Sequence, residues 1–360
     1  MREPAPYWQK ILAEGLSSVH ELLEYLQLPS DLGSAGAEKF FKTRVPRSFA
    51  ARMQPGNPVD PLLLQVLAHE QELKASLDYV TDPLKEIDAN PVPGLIHKYY
   101  DRVLLTLTGI CAINCRFCFR RHFPYADNNP GQAGWQKACA YIAAHPSIQE
   151  VILSGGDPLL ASDQTLASLM NQLSSVPHVQ TIRLHTRIPI VLPERIQPEF
   201  LALLDTQRFK IVVVIHCNHP QELDSSVQDA CMRMKQAGWT LLNQSVLLKG
   251  VNDAPEVLAS LSRRLFDYGV LPYYLHVLDK VAGTQHFDLP LDRALEIFKA
   301  LQQQLPGYLL PRLVREEPEV LHKTILSAKT TEPLPTKNPV TLISKPAGKA
   351  PNHPAVGEKI

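Results

Sequence analysis

The stretch Arg102-Val-Leu-Leu-Thr-Leu-Thr-Gly-Ile-Cys111-Ala-Ile-Asn-Cys115-Arg-Phe-Cys118 joins an apolar run to three closely spaced cysteines. The run up to Thr108 is rich in residues that favour strands, so we expect a β-strand that ends where the cysteine loop begins. Three thiolates can hold three irons of a four-iron cluster and leave the fourth iron open to another ligand. The stretch therefore predicts an iron–sulfur site at the end of a strand.

A zinc site is the alternative that this spacing leaves open. A structural zinc ion takes four ligands, and His122, four residues after Cys118, would complete a set of three cysteines and one histidine. The softness of the thiolates and their spacing favour the cluster over zinc.

The composition limits the classes of function. With 360 residues, of which 45% are hydrophobic and 20% charged, the chain is long enough for one large core and for an enzyme. Lysine and arginine total 36, and aspartate and glutamate also total 36, so no overall field attracts nucleic acid or an acidic membrane. We expect neither as a partner.

The first residues and the remaining cysteines indicate a cytoplasmic protein. Residues 1–8 lack the charged and apolar regions of a signal peptide, and no later stretch reaches the roughly 20 apolar residues of a membrane span. Six cysteines in a chain of this length do not resemble a disulfide framework. Cys139, Cys217 and Cys231 are expected to act only as small apolar residues.

The second part of the chain alternates between apolar β-rich runs and helical patterns. Most of the runs are apolar on both faces, which is typical of parallel strands covered by helices. Repeated βα units predict an α/β fold built as a complete or partial barrel. The expected strands are Val103–Leu107, Glu150–Ser154, Thr181–Thr186, Lys210–His216, Thr240–Leu247, Leu271–Leu278 and Tyr308–Val314.

Three regions are expected along the chain. Residues 1–95 show short helical patterns joined by polar turns, of which Ser48–Pro61 is the richest in turn residues, and are predicted to form an accessory helical region. Residues 96–326 are the predicted barrel core. Residues 327–360 contain many prolines among lysine, threonine and glycine, and are expected to form a disordered tail.

Polar residues stand where the predicted strands end, and function gathers at such positions in βα barrels. Gly155-Gly156-Asp157 follows the second strand, Arg187 the third, His216 the fourth and Asp279 the sixth. The paired glycines would let backbone approach a ligand closely. An ordinary turn with Asp157 as a helix cap explains the same residues.

Together, the cysteine loop and the Gly-Gly-Asp turn resemble the radical S-adenosylmethionine superfamily, including the aromatic Phe117 just before the last cysteine. Many members carry glutamate where this chain has Asp157. The resemblance implies a partial (β/α)6 barrel with an N-terminal helical accessory region, a [4Fe-4S] cluster and S-adenosyl-L-methionine. The residues that it assigns to the cluster and to this cofactor are Cys111, Cys115, Cys118, Gly155, Gly156 and Asp157.

Longer motifs narrow the resemblance to the lysine 2,3-aminomutases, over roughly residues 8–326. Within that family the chain looks most like the bacterial enzymes that supply β-lysine for the modification of elongation factor P. The resemblance implies an isomerase that converts L-lysine to β-lysine. The similar stretches are His97–Leu105, Cys115–Arg121, His185–Pro189, His216–Leu223, Asn243–Asp253 and Pro272–Asp279.

The same resemblance implies a second cofactor, pyridoxal 5′-phosphate, held by a lysine as a Schiff base. Lys323 occupies the matching position, although most lysines in such a segment are solvated charges. The loop before Lys323 lacks the glycines usual in the family, so Lys329 is the second candidate.

The resemblance implies further contacts to both organic cofactors. Lys98 and Arg102 match family arginines that bind the phosphate of the pyridoxal cofactor. His216, Arg187 and Gln244 stand at strand ends and would contact the methionine or ribose part of S-adenosylmethionine, with buried structural roles as the alternative.

A lysine substrate presents a carboxylate at one end and an ammonium at the other. A bidentate arginine suits the carboxylate, and the resemblance places Arg120 there. A buried ammonium needs carboxylates beside it. The matching residues are Asp279 and Glu316, with Glu317 as the alternative to the second.

Two other functions fit parts of the sequence. A related aminomutase acting on glutamate or arginine would use the same cofactors, although acidic residues at positions 279 and 316 favour lysine. A zinc-stabilised interaction protein would use Cys111–His122 as a finger. The partners implied by the resemblance are a flavodoxin or ferredoxin as electron donor, and elongation factor P with its β-lysine ligase.

Overall fold

The protein, seen here in a computed structural model, is described over residues 6–86, 89–125, 128, 131–204, 208–318 and 320–327. Its strands are β1 Leu95–Ile96, β2 Arg102–Thr108, β3 Glu150–Gly155, β4 Thr181–Thr186, β5 Lys210–His216, β6 Thr240–Val246, β7 Leu271–His276, β8 Arg312–Arg315 and β9 Thr324–Ile325. They form one sheet in chain order. Strands β2 to β8 pair in parallel, and β1 and β9 pair antiparallel at the two ends.

The parallel strands are apolar because both faces of the sheet are covered. In β5, Val213, Val214 and Ile215 point alternately to opposite faces, yet each is 0% exposed. Side chains from β2, β5 and β7, such as Leu104, Val212 and Tyr274, line the same cavity. The sheet therefore curls around that cavity, which confirms the expected α/β fold of a partial barrel.

Helices connect the parallel strands, as crossover connections require. Those that follow β2 to β7 are α6 Gly131–Ala144, α7 Asp163–Ser174, α8 Ile188–Val191, α9 Pro198–Leu204, α10 Ser225–Gln236, α11 Pro255–Asp267 and α12 Leu291–Gln304. Side-chain caps fix where several begin: Ser162 accepts from the Thr165 N–H at the start of α7, and Asp224 from the Val227 N–H at the start of α10. Short 3-10 helices lie at Pro158–Leu160, Pro193–Arg195, Pro220–Glu222, Gln285–Phe287 and Gly307–Leu309.

The N-terminal region is helical, as predicted. It contains α1 Tyr7–Ala13, α2 Val19–Tyr25, α3 Ala35–Phe40, α4 Arg47–Ala50, α5 Pro61–Leu64 and the 3-10 helices Ser30–Leu32 and Glu70–Leu73. Its buried residues Phe49 and Leu62 belong to the same hydrophobic core as Val151 and Ile182 of the sheet. Residues 1–327 accordingly form one compact unit.

Some predicted boundaries were wrong. The last predicted strand began at Tyr308, but β8 begins only at Arg312, because Pro306 starts a 3-10 turn and Pro311 has no N–H for the ladder. The turn-rich stretch from Ser48 opens inside α4 rather than in a loop. The expected tail lies, apart from Ser327, outside the described residues. None of the helices in the described part of the chain has the length and hydropathy needed to cross a bilayer.

Candidate active site

A cavity of about 1070 Å³ lies within the curled sheet. This volume exceeds the roughly 300–1,000 Å³ that is common for one small-molecule site, so the cavity has room for more than one bound group. Every residue in the predicted set of site residues lines it: Lys98, Arg102, Cys111, Cys115, Cys118, Arg120, Gly155, Gly156, Asp157, His216, Gln244, Asp279, Glu316 and Lys323.

The cysteine loop leaves β2 and forms part of the cavity wall. Its backbone is anchored to the N-terminal region by the Arg116 N–H, which donates to the carbonyl of Gln65 at 2.8 Å. Burial raises the pKa of Cys118 to about 11, and the negative charge of Cys115 adds to the rise. Neighbouring thiolates in this position need compensating positive charge of the kind that metal ions provide.

The position of His122 does not support the zinc alternative. Its Nε2 lies 3.0 Å from the carbonyl oxygen of Ala282. Among the residues that the structure describes, no three Cys, His, Asp or Glu side chains converge as a single metal ion requires. The ligands of a four-iron cluster bind different irons and need no common point. The donor set therefore fits a cluster better than one zinc ion.

Gly155 and Gly156 bring the end of β3 against the start of the cysteine loop. Gly155 has a φ of +115°, and a Cβ there would lie 2.8 Å from the Thr108 carbonyl oxygen. A Cβ on Gly156 would lie only 2.4 Å from the carbonyl oxygen of Ile110. The Gly156 N–H donates to the Thr108 carbonyl at 2.6 Å, which closes the contact. The two glycines thus set the position of the cysteine loop through its backbone.

The carboxylate of Asp157 is held by the end of the neighbouring strand β4 and by its own turn. It accepts hydrogen bonds from the Thr186 hydroxyl (2.7 Å), the Arg187 N–H (2.7 Å) and the Leu159 N–H (3.1 Å). Burial raises the pKa of Asp157 to about 6, although these hydrogen bonds act in the opposite direction. Asp157 caps the 3-10 helix Pro158–Leu160, which is the geometry of the capping alternative.

Arg120 is buried against a partner that the sequence did not indicate, Glu86. Its Nε and Nη2 atoms each lie 2.7 Å from a Glu86 carboxylate oxygen, and Nη1 donates to the Ser154 hydroxyl at 3.0 Å. Burial lowers the pKa of Arg120, but the ion pair outweighs it and the net shift is upward. These contacts use three of the five guanidinium N–H groups, which leaves one on each terminal nitrogen for another acceptor.

Two neighbouring carboxylates in the cavity have opposite pKa shifts. Lys323 Nζ lies 2.5 Å from Glu316 Oε2, and Lys98 Nζ lies 4.0 Å from Oε1. Burial alone would raise the pKa of Glu316, but the two lysines outweigh it and hold the value at about 2. At Asp279, burial dominates and the negative charge of Glu316 adds to it, so the pKa rises to about 7. Near neutral pH, Glu316 is ionised while Asp279 titrates.

Lys98 and Arg102 stand at the β2 side of the cavity. Lys98 lies between two carboxylates, with Nζ 4.0 Å from both Glu86 and Glu316. The Arg102 guanidinium lies 4.1 Å from the ring centroid of Tyr99, whose hydroxyl donates to Glu316 at 3.2 Å. Both cations are therefore held close to the Glu316 and Lys323 pair.

Glu317 and Lys329 are the alternatives to Glu316 and Lys323. Glu317 is not part of the cavity lining and accepts a hydrogen bond from the Thr324 hydroxyl. Lys329 lies outside the described residues.

Three histidines at strand ends lie together in the cavity lining. His216 Nε2 is 2.7 Å from Gln244 Nε2, and the His185 and His216 ring centroids are 6.2 Å apart. Burial lowers the pKa of His216 to about 3, and lowers the pKa values of His185 and His276 well below the usual range. The Nε2 atoms of His185 and His276 have no hydrogen-bond partner among the described residues. Buried polar atoms of this kind are suited to a polar group of a bound molecule.

The sequence analysis did not assign Glu86, His185 or His276 to the site. The two histidines lie in stretches that carry the family resemblance, and this position in the sequence is the signal that points to them. Glu86 lies in a segment without a clear pattern, 34 positions before Arg120, so only the tertiary structure reveals the pair.

The lining is chemically suited to two of the groups that the resemblance implies, the cluster and the pyridoxal cofactor. Cys111, Cys115 and Cys118 offer soft ligands for iron. Lys323 offers a primary amine beside the cations Lys98 and Arg102, which is the combination that an aldehyde carrying a phosphate requires.

Comparison with known proteins identifies the family. The sequence profile described as a 4Fe-4S single cluster domain matches residues 101–215, which contain the three cavity cysteines. The L-lysine 2,3-aminomutase of Haemophilus influenzae is 48% identical over 320 residues, 88% of this chain and 95% of that protein. The Escherichia coli protein of the same name is 47% identical over 312 residues, 86% and 91% of the two chains. This chain belongs to the L-lysine 2,3-aminomutase family.

The similarity to the L-lysine 2,3-aminomutase family extends to more distant members. The protein of that name from Clostridium subterminale is 36% identical over 314 residues, 86% of this chain and 75% of its own. The chain is therefore an enzyme of the isomerase class, and the cluster profile confirms the expected cluster-binding domain.

The similarity to one solved structure illustrates a distant match. A radical SAM methyltransferase from Sphaerobacter thermophilus matches 61% of this chain and 68% of its own, with 17% identity and a TM-score of 0.42. That score is too low to carry an argument about shape or activity.

Proposed function

We propose that this protein is a lysine 2,3-aminomutase that converts L-lysine to β-lysine with a [4Fe-4S] cluster, S-adenosyl-L-methionine and pyridoxal 5′-phosphate. The observation that carries the proposal is one cavity that holds the cysteine loop, Lys323 and charges suited to both ends of lysine. When bound, the cluster and S-adenosylmethionine supply a carbon radical that removes hydrogen from the substrate, while the pyridoxal cofactor supplies the conjugation that eases migration of the amino group.

The cluster end of the site is built from the strand ends of β2 to β4. Cys111, Cys115 and Cys118 would hold three irons of the cluster, which would leave the fourth iron open to another ligand. Gly155 and Gly156 keep the loop close to β3. Asp157 supports this arrangement through its hydrogen bonds to Thr186, Arg187 and Leu159, and together with the two glycines it is a proposed contact of S-adenosylmethionine. His216 and Gln244 complete the proposed S-adenosylmethionine contacts from β5 and β6.

Lys323 is the proposed attachment point of the pyridoxal cofactor, with Lys98 and Arg102 facing the phosphate. An amine acts as a nucleophile only without its proton. In the structure, Lys323 Nζ donates to Glu316 Oε2 at 2.5 Å. Attachment of the cofactor to Lys323 would remove the lysine charge from this pair and leave Glu316 available to a substrate ammonium.

The two ends of the substrate meet groups of opposite charge. The two remaining N–H groups of Arg120 would donate to the substrate carboxylate, and Glu86 fixes the plane of the guanidinium from behind. Asp279 and Glu316 receive the distant ammonium. A cation beside Asp279 lowers its raised pKa, so binding of lysine favours the ionised carboxylate and releases a proton near pH 7.

The biological role that we propose is the supply of β-lysine for the modification of elongation factor P, in the cytoplasm, together with the β-lysine ligase. A flavodoxin or ferredoxin is the proposed electron donor. The resemblance to the bacterial enzymes of this pathway supports the proposal. Within the chain, residues 1–95 are the proposed accessory region, 96–326 the core that carries the site and 327–360 a separate tail. Loss of β-lysine from elongation factor P in cells that lack this protein, measured by mass spectrometry, tests the role.

Borohydride reduction tests the cofactor assignment. The protein is reconstituted anaerobically with iron, sulfide and pyridoxal 5′-phosphate, reduced, digested and mapped by mass spectrometry. We expect the label on the peptide that contains Lys323, and none on that peptide in Lys323→Ala. Lys299→Ala, which alters an exposed lysine of α12, is the matched control and should label normally.

Each other outcome has a defined meaning. Label on Lys329 would move the attachment site. No label on a protein with full iron would remove the pyridoxal part of the proposal. In parallel, lysine, glutamate and arginine are supplied with S-adenosylmethionine and a reductant, and we expect a β-amino acid product only from lysine.

A further inference from the structure

Arg187 connects a cysteine of the proposed cluster to the N-terminal region. Its Nη1 atom lies 2.8 Å from Cys115 Sγ. Its Nη2 atom donates to Gln65 Oε1 at 2.7 Å and to Glu222 Oε2 at 2.8 Å. Cys115 therefore has a charged hydrogen-bond donor behind it, held on its far side by an amide and a carboxylate.

The surroundings of Arg187 fix the direction of this hydrogen bond. The side chain is 7% exposed, and its guanidinium lies 5.2 Å from the ring centroid of Phe49 and 5.8 Å from that of Phe117. Glu222 is 0% exposed, and its other oxygen accepts from the Asn218 N–H at 2.9 Å. Arg187 Nε has no hydrogen-bond partner among the described residues, whereas Nη2 is held by Gln65 and Glu222. These contacts aim Nη1 at Cys115 Sγ, and a buried ion pair with this geometry points to a role at the sulfur.

The three cysteines differ in the hydrogen bonds that their sulfur atoms accept. Over the described ranges, Arg187 provides the only side-chain hydrogen bond to any of their sulfurs. Cys118 receives instead the backbone N–H of Arg120. The charged contact is thus specific to Cys115.

Hydrogen bonds to cluster sulfurs and nearby positive charge influence the reduction potential of an iron–sulfur cluster. On reduction, one electron enters the cluster and its charge changes from 2+ to 1+, with no bond made or broken. The added negative charge spreads onto the thiolate sulfurs. An N–H donor with a full positive charge at one sulfur stabilises the reduced state more than the oxidised state.

We propose that Arg187 is a positioning residue that raises the reduction potential of the cluster through Cys115, and that Gln65 and Glu222 hold it in place for this purpose. The electron comes from a low-potential one-electron donor. This inference rests on the proposed function, because it requires the cluster. It also gives the N-terminal region, through Gln65, an influence on the electronic state of the site.

A redox titration followed by electron paramagnetic resonance tests the inference. Wild-type protein, Arg187→Gln and Arg187→Lys are reconstituted anaerobically and titrated with a chemical reductant in the absence of substrate. At the wild-type midpoint potential, we expect the ratio of reduced to oxidised cluster in Arg187→Gln to fall at least tenfold, which is about 59 mV for a one-electron couple. Arg187→Lys keeps the charge but not the reach to sulfur, and a smaller shift in the same direction is expected.

Arg195→Gln is the matched control. Arg195 is also buried, pairs with Asp163 at 2.6 Å and lies over the rings of Trp8 and Phe200, but does not contact a cysteine. Its loss should lower the melting temperature and leave the midpoint potential unchanged. Iron content and melting temperature are measured for every variant, so that structural damage is seen separately from a change in potential.

The outcomes separate this inference from the proposed function. A wild-type protein that takes up no iron or gives no signal on reduction overturns the proposed function. A normal wild-type cluster with unchanged midpoints in both Arg187 variants overturns only the role of Arg187. If Arg187→Gln takes up no iron, the midpoint potential of Arg187→Lys is compared with that of the wild type. A lower midpoint supports the proposed role of Arg187, and an unchanged one overturns it. If neither variant assembles a cluster, the residue is structural and the tuning role is rejected.

Discussion

Asp279 illustrates how one residue can give the site a pH dependence. Burial and the charge of Glu316 raise its pKa to about 7, so in the absence of substrate the neutral acid predominates below that pH. Lysine binding needs the carboxylate. We expect kcat/KM for lysine to fall as the pH drops below about 7, because this profile reports groups of the free enzyme.

Asp279→Asn should remove the fall in kcat/KM at low pH and should weaken lysine binding. Removing one carboxylate from a buried group of charges commonly costs about 3–5 kcal/mol, or two to three decades or more in affinity, even though Glu316 remains. Equilibrium binding of lysine to the reconstituted enzyme measures the loss, with Glu317→Gln as a control outside the cavity lining. Unchanged affinity in Asp279→Asn would mean that another carboxylate holds the ammonium.

Glu86 provides a second test at the level of single residues. The Glu86 carboxylate accepts hydrogen bonds from both Nε and Nη2 of Arg120. Glu86→Gln should therefore let the guanidinium rotate and weaken its hydrogen bonds to the substrate carboxylate. We expect KM for lysine to rise by at least tenfold, with a smaller loss in kcat and with iron content unchanged. Asp163→Asn removes a carboxylate from a different arginine, Arg195, and should leave KM as it is. An unaltered KM in Glu86→Gln would rule out this support of Arg120.

Among the structural elements, the turn after β3 depends on the absence of a side chain. A Cβ on Gly156 would lie 2.4 Å from the Ile110 carbonyl oxygen, and backbone cannot yield as a flexible side chain does. Gly156→Ala should therefore displace the cysteine loop and sharply reduce the iron bound after reconstitution. Gly307→Ala is the matched control, because a Cβ there meets nothing within 4 Å. Full iron content in Gly156→Ala would show that the loop tolerates the shift.

The strands were predictable where the local pattern dominates. Runs such as that of β5 are apolar on both faces, and the interior of a parallel sheet needs this composition. The start of β8 was not predictable from hydrophobicity, because the missing N–H of Pro311 and the turn at Gly307–Leu309 decide it.

For the molecule as a whole, the N-terminal region and the cysteine loop are joined by buried charge. Glu72 pairs with Arg116 at 2.5 Å and with Arg121 at 2.7 Å, and all three side chains are at most 3% exposed. Glu72→Gln leaves two buried guanidinium groups without a carboxylate. We expect a loss of about 3–5 kcal/mol in the free energy of unfolding, measured by denaturant titration.

The control for this change is a surface pair. Arg293 and Glu296 lie 3.1 Å apart but are 54% and 67% exposed, so Glu296→Gln should cost no more than about 1 kcal/mol. Equal losses in the two variants would contradict the view that Glu72 links the N-terminal region to the loop.

The sequence by itself determined the features that depend on neighbours along the chain. The cysteine spacing, the alternation of apolar runs with helical patterns and the motifs of the family all lie within short stretches, and so they indicated the α/β fold and the family. It also indicated a set of site residues that the curled sheet brings into one cavity.

Only the tertiary structure decided how those residues are used, because their partners are far away in sequence. Glu86 reaches Arg120 across 34 positions, and Arg187 reaches Cys115 across 72 and Gln65 across 122. Such pairs form when the N-terminal region and the segments that follow the strands meet at one edge of the curled sheet, and no local pattern encodes which residues will meet. The sequence thus names the chemical groups, while folding sets their distances and charges.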